Sequence, residues 1–274
     1  MLTRTDVLAT FERTGGRPSR ALGQNFVVDA NIVRKIVRLA EVVATDRVVE
    51  IGAGLGSLTL ALAETGACVT AVEIDRYLID ELRKNVRAHT NVTVVEGDAM
   101  SLDWHALLPA ESGPYVLVAN LPYNIATPLV ADLLDEVPQI ARMLVMVQKE
   151  VGDRLAARAR DEAYGAVSVK VAYWAEARMV GTVPPTVFVP QPKVDSGLVR
   201  IDRRITPAVD PSIVSPARLF AVVKAGFAQR RKMLRRALVD VVTPEAFVRA
   251  QIDPTSRAEE LDVLAWGRLA SEPT

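Results

Sequence analysis

The sequence contains very few of the residues that build disulfide scaffolds and metal centres. Among its 274 residues are one cysteine and two histidines. A single cysteine excludes an internal disulfide and a cluster of thiolate ligands. Cys68 lies in the apolar run CVTAV, which predicts a buried structural thiol rather than a reactive one. Because His89 and His105 are isolated in the sequence, we predict no metal site and no histidine base.

Long hydrophobic runs are also missing. No stretch approaches the roughly 18 uninterrupted apolar residues of a membrane span. The opening segment MLTRTDVLATFERTGGRPSR carries scattered charges and no apolar core of the kind found in a signal peptide. With 50% hydrophobic and 24% charged residues, the chain has the composition of an enzyme-sized globular protein. We therefore expect a cytoplasmic monomer that does not associate with membranes.

The chain has no excess of charge of either sign. Its 33 basic and 33 acidic residues balance, which by itself argues against a nucleic-acid partner. The distribution is nevertheless uneven, because one cluster near the C-terminus consists of Arg230, Arg231, Lys232, Arg235 and Arg236. A second basic cluster near the N-terminus consists of Arg17, Arg20, Arg34, Lys35 and Arg38. Each cluster is either a solvated helix face or part of a surface that binds a polyanion.

The pattern of apolar residues predicts an α/β fold. Runs rich in Val and Ile alternate with segments of helical period, as in a mostly parallel sheet covered by helices. We predict strands at 46–52, 68–74, 92–98, 115–120 and 143–148. Asp29 is a predicted N-cap of the helix before the first of these strands, and Thr127-Pro128 a predicted helix start after the fourth.

The second half of the sequence changes character. Beyond residue 165 we expect shorter strands that add an antiparallel edge to the sheet, interrupted by PPTVFVPQP. Beyond residue 205 only helices are predicted. The sequence therefore predicts one domain at 1–205 and a small all-helical domain at 206–274.

A glycine-rich turn follows the first predicted strand, in the stretch EIGAGLGSLT at 50–59. Glycines there let a ligand approach the backbone and leave N–H groups free to bind it. The dinucleotide fingerprint requires glycine at position 57, where this chain has serine, so the turn argues against NAD. A tight turn without a ligand is the alternative interpretation.

Two acidic residues follow the next two strands. Glu73 ends the second predicted strand, where a carboxylate is placed to accept hydrogen bonds from both hydroxyls of a ribose. Asp98 ends the third and could accept the amino protons of an adenine. Each could instead cap a helix, but their occurrence on consecutive strands favours a nucleoside ligand.

The fourth predicted strand ends in the sequence NLPY, at the same edge of the sheet. The exocyclic amine of adenine is a poor nucleophile because its lone pair is delocalised into the ring. The Asn120 side-chain oxygen and the Leu121 carbonyl could accept its two protons, while Pro122 fixes the turn and Tyr123 offers a ring on which a flipped base stacks. Alignment of this kind needs no general base or metal, because effective molarities allow roughly 7 to 11 kcal/mol of barrier reduction.

Seven motifs in this order resemble one protein family. They are GQNF, EIGAGLGSLT, VEID, EGDA, NLPYN, VFVPQPKVDS and GFAQRRKML, and the match runs from about residue 17 to 265. Together they resemble the rRNA adenine dimethyltransferases, and within that family the bacterial enzymes that dimethylate two adjacent adenosines near the 3′ end of 16S rRNA. The resemblance implies a class I methyltransferase domain that uses S-adenosylmethionine, and a helical domain that helps to bind the rRNA of a pre-30S particle.

The resemblance also implies roles for individual residues. The implied cofactor-binding residues are Asn25, Val27, Gly52, Gly54, Glu73, Asp98, Ala99 and Asn120. The implied catalytic residues, which hold the target base, are Asn120, Leu121, Pro122, Tyr123 and Phe188. Phe188 resembles the position that closes the other face of the adenine pocket, and a core phenylalanine beside a proline-rich bend is its alternative role. The family often has proline at the position of Ala53 and leucine at that of Val27, and both changes keep apolar character.

Three other functions remain open. Resistance methyltransferases that act on 23S rRNA share the same core, although NLPYN, GFAQRRKML and the full-length C-terminal region favour the small-subunit enzyme. A non-catalytic RNA-binding assembly or transcription factor could also use this fold, but Glu73, Asp98 and NLPY are intact. A Rossmann dehydrogenase is the third alternative, and the glycine pattern argues against it.

Overall fold

The computed structural model describes residues 1–272. Within them the strands are β1 (Phe26–Val27), β2 (Arg47–Ile51), β3 (Cys68–Glu73), β4 (Val92–Glu96), β5 (Tyr115–Asn120), β6 (Ile140–Gln148), β7 (Ala175–Val183), β8 (Phe188–Val189) and β9 (Ser196–Arg203). Seven strands form one sheet in the order β4-β3-β2-β5-β6-β9-β7, and β1 and β8 form a separate antiparallel pair. Strands β2 to β6 pair in parallel, whereas β9 runs antiparallel to β6.

The helices are α1 (Arg4–Thr14), α2 (Ala30–Ala40), α3 (Ser57–Ala63), α4 (Arg76–Val86), α5 (Trp104–Leu107), α6 (Ala126–Glu136), α7 (Lys149–Ala156), α8 (Ala166–Trp174), α9 (Pro216–Ala228), α10 (Leu234–Ala237), α11 (Pro244–Arg249) and α12 (Val263–Ser271). Asp29 caps α2 as predicted, because its side chain accepts hydrogen bonds from the backbone N–H groups of Asn31 and Ile32. The mostly parallel sheet with an antiparallel edge, and the helices that follow β9, agree with the α/β fold and the helical C-terminal part that the sequence predicts.

Two elements differ from the expectation. The stretch 166–174 is helix α8 rather than a strand, and its buried Val169 and Tyr173 belong to an apolar cluster shared with residues of the C-terminal helices. Helix α1 was not predicted. It begins at a capping box, in which the Thr3 side chain accepts from the Asp6 N–H and the Asp6 carboxylate accepts from the Thr3 N–H, and it ends at Gly15 in a left-handed conformation.

The chain divides into two compact units. The first contains Met1–Gly152 and Arg178–Asp202 and holds the sheet. The second contains Asp153–Ala177 together with the chain from Arg203 onward. The predicted boundary near 205 lies close to the last point at which the chain passes from the first unit to the second, between Asp202 and Arg203. Residues 153–177 were not predicted to belong to the second unit, and they group with the C-terminal helices because α8 shares their apolar core. A discontinuous unit of this kind leaves no local signal in the sequence.

The prediction for Cys68 was wrong. The thiol is exposed at the first residue of β3, whereas its neighbours Ala67 and Val69 are buried in the core. Within residues 1–272 no three His, Cys, Asp or Glu side chains are grouped so that they could hold a metal ion. The helices of the described chain are all too short or too polar to span a bilayer.

Candidate active site

A pocket lies at the carboxyl ends of β2, β3 and β5, the edge at which open α/β sheets bind ligands. It brings together most of the residues that the sequence predicted for the site. Those that line it are Asn25, Val27, Gly52, Gly54, Glu73, Asn120, Leu121, Pro122 and Tyr123. Leu2 and Val7 from the N-terminal segment and Glu50 from β2 also line the pocket, and none of these three was predicted.

The glycine turn adopts the backbone geometry that its sequence predicts. Gly52 and Gly54 have φ values of 73° and 58°, in the left-handed region that favours glycine. A Cβ atom on Gly54 would lie 2.9 Å from Cε1 of Phe26, so a larger residue would clash there. The expectation that the turn leaves its N–H groups free was wrong at these positions, because Gly52 N–H donates to the Val72 carbonyl and Gly54 N–H to Glu73.

Glu73 is buried beneath this turn and binds the backbone with both carboxylate oxygens. Its Oε2 accepts a hydrogen bond from Gly54 N–H at 2.7 Å, and its Oε1 accepts from the N–H groups of Ile74 at 2.9 Å and Asp75 at 2.8 Å. Burial raises the pKa of Glu73 above its ordinary value. A carboxylate offers about four acceptor sites. Accepting two ribose hydroxyls in addition would therefore require one of these backbone bonds to break.

Glu50 is the ionisable residue of the pocket that sequence reasoning missed. It is 1% exposed, and its Oε2 has no hydrogen-bond partner within residues 1–272. Burial raises the pKa of its carboxyl group to about 8. The available signal was a charged residue inside the apolar strand RVVEI, where the structure buries every residue after Arg47. A buried acceptor without a partner, at the wall of a pocket, is suited to a cationic group of a ligand.

The NLPY segment is a turn that joins β5 to α6. The Asn120 side-chain NH₂ group donates to the Asn25 carbonyl at 2.9 Å, which fixes the amide and leaves its oxygen available as an acceptor. Leu121 N–H donates to the Met146 carbonyl, and the Pro122 carbonyl accepts from Ala126 N–H in the first turn of α6. The segment therefore ends a strand and begins a helix while it presents an acceptor to the pocket.

The two aromatic rings predicted for the site lie in different environments. Tyr123 lines the pocket, is half-buried, and its hydroxyl lies 3.2 Å from the Ser196 hydroxyl. Burial raises the pKa of the Tyr123 phenol. Phe188 is 0% exposed and packs among Val27, Ile36 and other core residues. The structure thus shows Phe188 as a core phenylalanine, and a contact with a base stays a prediction that requires the ring to become exposed.

Asp98 and Ala99 follow β4 at the same edge but do not line this pocket. Asp98 is exposed, and its Oδ1 accepts from Met100 N–H at 2.9 Å, so it caps the turn after the strand. Ala99 is buried, and its carbonyl accepts from the Trp104 indole N–H. The role of these two residues in adenine binding stays a prediction.

The C-terminal basic cluster is not uniform. Arg230 is bound within the protein, because its guanidinium donates to the Glu259 carboxylate at 3.1 Å and to the Glu162 carbonyl at 2.8 Å. The remaining cations lie exposed on the surface of the second unit, and they are Arg231, Lys232, Arg235 and Arg236. Arg230 is also exposed, at 45% of its side chain, but its guanidinium donates to Glu259 and Glu162, which ties this part of the cluster to the rest of the second unit.

Comparison with known sequences decides the family. A sequence model described as "Ribosomal RNA adenine dimethylase" matches residues 17–272. The chain belongs to the ribosomal RNA adenine dimethylase family. S-adenosylmethionine is the methyl donor of such enzymes, and the glycine turn and the unpartnered Glu50 oxygen fit a ligand with a cationic end.

Two similar proteins are curated as "Ribosomal RNA small subunit methyltransferase A". The one from Cutibacterium acnes is 49% identical over 96% of this chain and 91% of its own length. The one from Thermobifida fusca is 48% identical over 98% of this chain and 95% of its own length. This dimethylase family member is thus similar along almost its whole length to methyltransferases of the small subunit.

Solved structures agree with the fold. The 23S rRNA methyltransferase ErmE superposes with a TM-score of 0.70 at 26% identity, covering 89% of this chain and 98% of its own. A dimethyladenosine transferase from Plasmodium falciparum superposes with a TM-score of 0.73 at 24% identity, covering 88% of this chain and 94% of its own. The second match supports the fold alone.

Proposed function

We propose that this protein dimethylates the N6 amines of two adjacent adenosines near the 3′ end of 16S rRNA, within a pre-30S particle in the cytoplasm. The observation that carries the proposal is the identity of 49% and 48% to two small-subunit methyltransferases over nearly the whole chain. The identity to the 23S rRNA methyltransferase ErmE is 26% at 89% coverage. The expected monomeric state stays a prediction.

The pocket suggests where each end of the cofactor lies. When bound, S-adenosylmethionine supplies an electrophilic methyl group that passes to an amine. Glu50, at the pocket wall, would accept hydrogen bonds from the ammonium group of the methionine end. Glu73 would bind the ribose, and its existing bond to Gly54 N–H couples that contact to the position of the glycine turn.

The NLPY turn would hold the target base. The amide of Asn120 is already oriented by its bond to the Asn25 carbonyl, so its oxygen can accept from the adenine amine without reorganisation. The Leu121 carbonyl is the second acceptor, and the ring of Tyr123 provides a surface on which the base stacks. With both protons accepted, the lone pair of the amine would be directed at the methyl group. The new N–C bond would form as the S–C bond of the sulfonium breaks, one amine proton would be lost to solvent, and the rate gain would come from alignment.

The alternative substrate is 23S rRNA, because the fold is shared with ErmE. The decisive experiment is mass spectrometry of 16S and 23S rRNA from cells with and without this protein. We expect dimethyladenosine at two adjacent positions near the 3′ end of 16S rRNA to disappear when the protein is absent. A loss confined to 23S rRNA would establish the alternative substrate. No change in either rRNA would indicate a non-catalytic role.

A further inference from the structure

Ser196 is a buried hydroxyl beside the active site. It is the last residue of the motif VFVPQPKVDS, but it is not among the implied catalytic or cofactor-binding residues. It is the first residue of β9 and is 0% exposed. Because β9 runs antiparallel to β6, this first residue pairs with Gln148, the last residue of β6. Strand β6 in turn pairs Met146 with Asn120. The hydroxyl therefore lies at the same edge of the sheet as the NLPY turn, two strands away from β5.

The partner of this hydroxyl is the phenol of Tyr123, at 3.2 Å. Tyr123 sits in the turn between β5 and α6, where its ring is not fixed by strand pairing. The position of Ser196, in contrast, is fixed on both sides. On one side, the Asp195 carbonyl accepts a hydrogen bond from Lys149 N–H at 2.9 Å. On the other side, the backbone at Gly197 packs closely against Met179, since a Cβ atom on Gly197 would lie only 2.5 Å from Cε of Met179. A side chain on a rigid strand thus holds a side chain on a turn.

We infer that Ser196 is a positioning residue, whose hydrogen bond to the Tyr123 hydroxyl fixes the ring against which the target adenine stacks. The inference rests on the proposed role of Tyr123. Ser196 is not among the residues that line the pocket, so it acts through Tyr123 rather than on the base. If the ring is already held in place when the base arrives, no conformational entropy is lost in ordering it during the reaction. The effect of this hydrogen bond is therefore expected in kcat.

The test is a double-mutant cycle of Ser196→Ala and Tyr123→Phe, measured as methyl transfer to undermethylated 30S particles. Each single substitution removes the same hydrogen bond. We expect each to lower kcat about three- to tenfold, with little change in the KM for S-adenosylmethionine. The double variant should lose no more than either single one, because the bond can be removed only once.

A second readout separates positioning from a purely structural role. For the wild type, the two single variants and the double variant, the free energy of unfolding is measured without substrate. Ser168→Ala serves as the control. Ser168 is also buried and donates its hydroxyl proton to the Arg154 carbonyl, away from the pocket. We expect this control to lower stability and to leave kcat unchanged.

Three outcomes would overturn the inference: an unchanged kcat in Ser196→Ala, losses that multiply in the double variant, or coupling in stability without coupling in kcat. If the wild-type protein methylates 23S rather than 16S rRNA, the proposed substrate fails. The cycle is then measured on 23S rRNA and still decides the role of Ser196. If the wild type methylates neither, the proposed function and this inference both fall.

Discussion

At the scale of single residues, the most unusual feature of the site is a pair of buried carboxyl groups beside the glycine turn. Glu73 is satisfied by three backbone N–H groups, whereas Glu50 retains an oxygen without a partner in the described chain. Burying an acceptor without a partner costs free energy, roughly 1 to 3 kcal/mol. The fold retains this cost at the pocket wall, where a bound ligand can relieve it.

The first prediction concerns the pH dependence of stability. The pKa of Glu50 is about 8 in the folded protein against an ordinary value of 4.5, so the unfolded chain binds fewer protons between these values. Stability therefore falls as pH rises from about 4.5 to 8, with a slope of up to about 1.4 kcal/mol per pH unit from this group. Glu50→Gln should remove that slope and be the more stable protein at pH 8.

Urea unfolding of wild type and Glu50→Gln at several pH values between 5 and 9 measures the difference. Glu64→Gln is the matched control, because Glu64 is exposed at the end of α3 and its substitution should leave the wild-type pH dependence intact. If the wild-type and Glu50→Gln curves are parallel across this range, the carboxyl group does not titrate as the burial requires.

The second prediction links Glu50 to the cofactor. If the ammonium group of S-adenosylmethionine binds this carboxylate, the proton that Glu50 holds at neutral pH must leave. We expect release of close to one proton per cofactor near pH 7, and an apparent affinity that rises up to about tenfold between pH 6 and pH 7. Calorimetric titration in buffers of different ionisation enthalpy measures this release. Glu50→Gln should bind more weakly and release no proton, and equal proton release by both proteins would refute the contact.

At the scale of secondary-structure elements, α1 connects the N-terminal segment to the pocket beside the glycine turn. The ring of Phe11 packs on that of Phe26 with centroids 5.4 Å apart, and Phe26 lies against Gly54. On its other side the helix is tied to α4. The Arg13 guanidinium donates to the buried Glu81 carboxylate, which also accepts from Lys84 Nζ at 2.7 Å.

The third prediction tests this connection. Hydrogen bonds from Arg13 and Lys84 lower the pKa of Glu81 to about 2, from an ordinary value of 4.5. The stability that Glu81 contributes is therefore present above about pH 4.5 and is lost as pH falls towards 2. At neutral pH we expect Glu81→Gln to cost about 1 to 3 kcal/mol and to accelerate hydrogen exchange in α1.

Asp80→Asn is the control for this experiment, because Asp80 is exposed and pairs only loosely with Arg83, at 3.8 Å. It should leave both the stability and the exchange of α1 amides close to wild type. Protection of α1 that does not change in Glu81→Gln would show that the apolar contacts of Phe11 hold the helix without the ion pair.

At the scale of the whole molecule, a net charge of zero conceals local concentrations of basic residues. The second unit presents four exposed cations between residues 231 and 236, while Arg230 is engaged with Glu259 and Glu162. Contacts with RNA phosphates are formed by exposed cationic side chains that can exchange water and counterions for the phosphate group. Arg230 is therefore better suited to holding this cluster in place than to binding phosphate.

The fourth prediction follows from that division. Replacing Arg231, Lys232 and Arg236 by Ala should weaken binding to 30S particles and reduce the slope of log affinity against log salt by about 0.7 to 0.9 per lost contact. Cofactor affinity should stay at the wild-type value. Arg230→Ala should instead lower the stability of the second unit.

A triple variant with the same change in charge provides the control. Arg47, Arg83 and Arg87 are exposed on the unit that holds the sheet, and their replacement by Ala should leave the salt slope unchanged. The assignment of the cluster fails if both triple variants show the same slope, since a uniform effect would reflect total charge alone.

The sequence by itself determined the parallel strands of the sheet and the edge at which the pocket lies. Strands β2 to β6 were predicted because runs of Val and Ile have a local period, and α2 because Asp29 is a local capping residue. Glu73 and the NLPY turn were assigned to one edge because the carboxyl ends of parallel strands meet there. Helix α1 also carried a local signal, the capping box of Thr3 and Asp6, which the sequence reasoning did not use.

Only the tertiary structure decided which groups are buried and which partners they find. Three such features depend on neighbours far away in the sequence. They are the exposure of Cys68, the burial of Phe188 and, within the described residues, the lack of a hydrogen-bond partner for Oε2 of Glu50. The hydrogen bond between Tyr123 and Ser196 joins residues 73 positions apart in the sequence. It forms because the antiparallel strand β9 lies beside β6, and no local sequence pattern determines that pairing. A sequence pattern indicates the type of a secondary-structure element and where it begins and ends. Hydrogen-bond partners and pKa values depend instead on the residues that pack against that element in the folded protein.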